Sequence, residues 1–272
     1  TNELAVPEDV HVSSFEFFIV YTKSVLTEQT TPVAKAFNDT AFKVSSIQFL
    51  DADLDYGEIG GDLSWETPGD LTHVTRYYIY VADDVAGTNK KAIENVPPNV
   101  TSFHVPADTL LETATQIVIF ASSSLEEQTT PTALAVHDVF ASVSGISFFD
   151  KDLDANELGG AVSWIPPVTV SPVVSYFTYL ASNAAGDRRG TDGFRSGGSM
   201  AVGVNSDFIE VDTALLDYTH LVVYTKSTLA EQTTPVAYAL VDTISSVSDI
   251  VFPDKDLDAY EIGGEMNWVA PE

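Results

Sequence analysis

Three copies of one acidic segment frame the chain: "DADLDYGEIGG" at 51–61, "DKDLDANELGG" at 150–160 and "DKDLDAYEIGG" at 254–264, whose first Asp residues stand 99 and then 104 positions apart. A second marker keeps step with the first, as "TEQTTPVA" at 27–34, "EEQTTPTA" at 126–133 and "AEQTTPVA" at 230–237. Trp65, Trp164 and Trp268 follow the same period. Markers locked in phase define a unit of about 100 residues, longer than a solenoid or propeller repeat and the size of one small β-sandwich. The phase divides the chain into the C-terminal part of a repeat at 1–43, complete repeats at 44–142 and 143–246, and the N-terminal part of a further repeat at 247–272.

Local patterns agree with that size. Runs such as "AVSW", "RYYIYVA" and "HLVVYTKS" are short, rich in β-branched and aromatic residues, and bounded by Gly, Pro, Asp and Ser. Nothing has the period of a long amphipathic helix. Each repeat is expected to open on a strand such as 143–148, pass through the acidic segment and enter a strand carrying the Trp. A Tyr-rich strand, a variable loop region and two strands flanking "EQTTP" should follow. The recurring Trp and Tyr residues read as core between two sheets. The glycine pairs read as sites of a bulge or close backbone approach. The connection "ALAVHDVFASVSGISFF" has no Pro and no polar tract, so the repeats should join strand to strand with little free linker.

With Trp followed by Pro in "SWETP" and "SWIPP", and Tyr-x-x-Tyr in the next strand (Tyr77 and Tyr80, Tyr176 and Tyr179), both complete repeats resemble fibronectin type III-like or immunoglobulin-like β-sandwich domains of extracellular fibre and cell-surface proteins. The resemblance implies an all-β chain of tandem β-sandwich domains arranged as a rod. It departs from the family at the corner before the penultimate strand, where "LLETATQIVIF" has no Tyr.

Twelve Lys and Arg stand against 40 Asp and Glu, a formal charge of −28. That field repels nucleic acid and anionic membrane surfaces. There is no Cys, which excludes disulfides and thiolate chemistry, and no apolar run is long enough for membrane insertion in this segment. The first ten residues lack the basic and apolar regions of a signal peptide, which fits either a cytosolic chain or a mature fragment.

The crowded acids are the first candidate site: Asp51, Asp53, Asp55 and Glu58, then Asp150, Asp152, Asp154 and Glu157, then Asp254, Asp256, Asp258 and Glu261. Carboxylates at alternating positions converge when the backbone turns, and their oxygens suit Ca²⁺. The EF-hand pattern fails, because its sixth position, a Gly, is Tyr56, Ala155 and Ala259, and its twelfth, a Glu, is Asp62, Ala161 and Glu265. Two readings stay open: a different Ca²⁺ loop, in which the ion removes the repulsion among acids, or an acidic turn whose Asp side chains bond their own backbone.

Candidate glycosylation positions are the sequons at Asn38 and Asn99 and the Thr pairs Thr30 and Thr31, Thr129 and Thr130, Thr233 and Thr234. The five His residues do not recur at equivalent positions and accompany no nucleophile or phosphate-loop motif, so no catalytic residue is expected. The one basic cluster, "GDRRGTDGFRSGG" at 186–198, is either a loop or a contact with an acidic surface. The expected function is a structural segment of an extracellular or cell-surface filament, stalk or adhesin, self-associating head to tail and stiffened by calcium. The alternative is a glycan- or protein-binding accessory module of a larger secreted enzyme or receptor. The partial repeats at 1–43 and 247–272 cannot close a sandwich alone. They are expected either to continue into a longer array or to be completed by neighbouring copies through strand addition.

Overall fold

Alternation is what builds the sheets. In "RYYIYVA" at 76–82, Tyr77, Ile79 and Val81 are buried while Tyr78 and Tyr80 are half-buried, the period-two pattern of a strand with one face on a core. The computed structural model describes residues 2–190 and 198–271; residues 191–197 of the basic cluster lie outside the described residues. The described residues form 18 strands and no helix.

A first pair comprises β1 (Phe17–Val20) and β2 (Val33–Ala36). The first complete repeat contributes β3 (Ser45–Phe49), β4 (Glu58–Glu66), β5 (Arg76–Ala82), β6 (Lys91–Val96), β7 (Ser102–Leu110), β8 (Gln116–Ser122) and β9 (Thr132–Ala135). The second contributes β10 (Ser144–Phe148), β11 (Glu157–Ile165), β12 (Ser175–Ala181), β13 (Ser199–Ala201), β14 (Ser206–Ala214), β15 (His220–Lys226) and β16 (Val236–Ala239), and β17 (Ser248–Val251) and β18 (Asn267–Val269) follow. Each complete repeat makes one three-stranded and one four-stranded sheet, in the orders β3-β4-β7 with β6-β5-β8-β9, and β10-β11-β14 with β13-β12-β15-β16. Where the sequence suggested a variable loop region, the chain inserts β6 with β7 and β13 with β14.

Between the sheets of the second repeat lies a core that includes Phe148, Leu158, Val162, Trp164, Tyr176 and Leu221. Trp164 is 5% exposed and meets Tyr176 edge to face at 5.5 Å. Trp65 and Tyr77 repeat the arrangement at 6.2 Å. Trp268 breaks the expected equivalence: it is 57% exposed, because β17 and β18 form a two-stranded sheet without a second sheet over it.

The glycine pair has two roles. The β11–β14 register shifts between Leu158 and Gly160, where Gly160 has a φ of +146°. A Cβ on Gly159 would stand 3.1 Å from the Cα of Val211, tighter than an ordinary contact, so a side chain there would press on the backbone of the partner strand.

The chain divides into two compact units whose borders do not follow the repeats. One comprises residues 1–50, 62–105 and 111–137, the other 51–61, 106–110 and 138–272. The acidic segment of the first complete repeat therefore belongs to the same unit as the second complete repeat, and Leu54 is a member of that repeat's hydrophobic core.

Candidate functional site

Each position of the acidic segment has its own task. The first Asp ties the segment together. Asp51 Oδ1 accepts the N–H groups of Asp53 (3.1 Å) and Gly60 (3.0 Å), and its Oδ2 accepts that of Val139 (2.8 Å), in the connection to the next repeat. Asp150 does the same with Asp152 (3.1 Å), Gly159 (2.9 Å) and Thr243 (2.9 Å). Asp254 holds Asp256 (3.0 Å) and Gly263 (2.9 Å). These are Asx-type turns, in which a short carboxylate replaces a backbone acceptor.

The second Asp reaches to a neighbouring strand. Asp53 Oδ1 accepts from Asp55 N–H at 2.9 Å and its Oδ2 from Asp108 N–H at 2.7 Å. Asp152 accepts from Asp154 (3.0 Å) and Asp212 (2.8 Å) in the same way, and Asp256 accepts from Asp258 at 2.9 Å. Asp108 and Asp212 have φ of 60° and 61°, the left-handed conformation that Asp tolerates better than most residues.

The third position divides the copies. Asp55 is buried, and its carboxylate accepts the N–H groups of Thr233 (2.6 Å) and Thr234 (3.0 Å) and both Thr hydroxyls. Gln232 Nε2 donates to the Leu54 carbonyl at 2.8 Å. The second marker of the later repeat thus grips the first marker of the earlier one. Asp154 and Asp258 are exposed, and no described residue donates a hydrogen bond to either carboxylate.

The fourth acid joins a cluster. Carboxylate oxygens of Asp53, Asp55, Glu58 and Asp108 lie within 4.8 Å of one another; those of Asp152, Asp154, Glu157 and Asp212 do likewise, and so do Asp256, Asp258 and Glu261. The structure brings Asp108 and Asp212, which the acidic motif does not contain, into the sites, whereas the first Asp of each copy is not among the clustered groups. The Asp-Thr pairs at 108–109 and 212–213 recur 104 residues apart, the signal by which these two could have been found.

Burial, followed by the charges of Asp55, Asp108 and Asp53, pushes the Glu58 carboxyl above its ordinary range, and Glu58 Oε2 is buried with no hydrogen-bond partner among the described residues. Burial and then Asp53 and Asp55 raise Asp108. Burial also raises Asp51, against three backbone N–H bonds that lower it. Asp152 and Asp254 are held low, the first chiefly by the Asp212 N–H and the second by the Gly263 N–H. Four such groups around one point, with no Lys or Arg among them, present hard oxygen donors of the kind Ca²⁺ takes.

A second repeated group covers the outer aromatic face. Lys90 lies over Tyr80 and Phe120 and pairs with Glu127, which accepts from the Tyr80 hydroxyl at 2.7 Å. Arg189 lies over Tyr179 and Tyr224 and pairs with Glu231 at 2.6 Å. Burial, and then Glu231, push the Tyr179 hydroxyl up to about 12. Asn38, Asn99, Thr30, Thr31, Thr129 and Thr130 are exposed, as are Thr233 and Thr234, whose hydroxyls nevertheless bond Asp55. No protein-family model matches the chain, and no curated protein matches it.

Proposed function

We propose that the chain is a structural repeat segment of an extracellular or cell-surface filament, stalk or adhesin, built from fibronectin type III-like sandwiches set head to tail. The observation that carries this reading is the joint: Leu54 and Asp55 of one repeat are built into the core and the Thr-Thr turn of the next. The connecting segment is pinned as well, since Val139 N–H donates to Asp51 and Ala141 N–H to the Leu54 carbonyl at 3.2 Å. A linker held at successive points resists bending, which is what a stalk requires and a tethered binding module does not. The three-plus-four strand order supports the fibronectin type III-like assignment.

Calcium bound at the carboxylate clusters stiffens the joint, because an ion there offsets the repulsion that raises Glu58 and Asp108. The glycan-binding alternative is the less favoured, because Lys90 and Arg189 cover the Tyr80 and Tyr179 rings that would stack on a sugar. Small-angle scattering of the full chain tests the reading. An elongated profile with a constant cross-section is expected; a compact profile would overturn it.

A further inference from the structure

The core of each complete repeat contains the same unanswered pair of polar atoms. Trp65 Nε1 and Tyr77 OH are buried with no hydrogen-bond partner among the described residues, and so are Trp164 Nε1 and Tyr176 OH. Both Tyr residues are 0% exposed and the Trp residues 4% and 5%, so solvent outside the fold does not reach them. A buried indole N–H or phenol normally finds a partner, because leaving it without one costs its hydration. One such atom can be an accident of packing; the same two in both repeats are a property of the unit. The rest of the second core does not share it. Thr178 and Asp207 are equally buried, and the Thr hydroxyl donates to the carboxylate at 2.5 Å.

Placement and chemistry narrow what can answer the pair. Trp65 stands on β4 of the three-stranded sheet and Tyr77 on β5 of the four-stranded sheet, with ring centroids 6.2 Å apart; Trp164 on β11 and Tyr176 on β12 are 5.5 Å apart across the same divide. An indole N–H only donates, whereas a phenol both donates and accepts. Burial raises both Tyr hydroxyls above their ordinary value, which keeps them protonated and able to play both parts. In the second repeat a third buried atom without a described partner, Asn205 Oδ1, belongs to the residue whose carbonyl accepts the Trp164 backbone N–H at 3.1 Å. A group that accepts from the indole, exchanges a hydrogen bond with the phenol and fits between two packed sheets is small, neutral and both donor and acceptor.

We infer that each complete repeat binds one internal water between its sheets, which accepts from the Trp indole N–H and hydrogen-bonds the Tyr hydroxyl. Buried waters of this kind make about three hydrogen bonds and are nearly as good as direct contacts. Each ties one sheet to the other, in a chain that has no Cys to do so.

Water-to-indole cross-relaxation in the ¹⁵N-labelled full chain tests the inference, since three Trp residues give three indole signals. Trp65 and Trp164 should show cross-peaks to water of opposite sign in the laboratory and rotating frames, the mark of a bound water as against proton exchange, with Trp268, 57% exposed, as the solvent-facing reference. Oxygen-17 relaxation dispersion counts the same waters directly. Tyr77→Phe and Tyr176→Phe keep the ring and remove the hydroxyl. Each should erase its own repeat's cross-peak and lower the dispersion amplitude by the share of one water, and the double variant by the share of two. Amide spectra that shift only around the substituted ring show that the variants fold. Wild type is decisive by itself: indole protons shifted upfield with no water cross-peak would show the N–H facing the Tyr ring and overturn the inference. A cross-peak in one repeat only would overturn it as a property of the unit, and a dispersion amplitude that both variants leave unchanged would overturn it outright.

Discussion

The acidic segments at 51–61 and 150–160 are near-copies in sequence and in hydrogen bonding, yet one holds Leu54 and Asp55 in a core and the other leaves Leu153 and Asp154 in solvent. The difference is not in the loop. It lies in whether a Gln-Thr-Thr turn from another repeat lies against it, so burial here is a property of a neighbour and not of the residue. Trp164 and Trp268 make the same point with a whole sheet in place of a turn.

The largest expected contrast is between those two Trp residues. Trp164→Ala should cost about 3–5 kcal/mol in chemical denaturation, the usual range for a buried large aromatic, whereas Trp268→Ala should stay within about 0.5 kcal/mol, as for a surface change. Next in size, Leu54→Ala should cost about 2–5 kcal/mol, felt in the second complete repeat, whose core it joins; Leu153→Ala in the isolated chain should be within about 0.5 kcal/mol. Equal losses at 54 and 153 would erase the comparison. Asp55→Ala removes a charged acceptor from two amides and two hydroxyls and should cost about 1.5–3 kcal/mol, with Asp154→Ala nearly silent in a monomer.

The smallest effect is electrostatic. Glu58, Asp108 and Asp51 have folded values raised above the unfolded ones. Their contribution is therefore fully present below the ordinary carboxylate range and is lost as pH rises through the raised values. The thermal midpoint should rise modestly as pH falls from neutral toward the carboxylate range. It should fall again once the carboxyls held low, Asp152 and Asp254, take up protons. Millimolar Ca²⁺ should raise the midpoint at neutral pH and flatten the first of these slopes, since a bound ion stabilises the state that binds it. A calorimetric titration with no heat and no midpoint shift would remove calcium from the account.

The repeat, the Trp and Tyr core positions and the strands flanking both markers were legible because period, aromatic content and alternation survive in the sequence. β7, "SFHVPADTL", was not: it is half polar, contains Pro106, and buries only one residue fully. β6, "KAIENV", is mostly exposed and gives as weak a signal. Within the acidic segment, residue type cannot separate Asp51, which is not among the clustered groups, from Asp53 and Asp55, which are, since all three are Asp at alternate positions. The roles of Asp108 and Asp212 depend on a left-handed backbone that brings a distant strand to the loop, a fact of tertiary structure.

Because Leu54 and Asp55 complete a domain that begins almost ninety residues later in the chain, the heritable module is not the repeat. A duplicated or transplanted repeat functions only if its acidic loop suits the Gln-Thr-Thr turn of whatever follows it. A substitution in either marker must be answered in the other, across a repeat boundary. The two segments that stay most alike among the three copies are thus the two that meet.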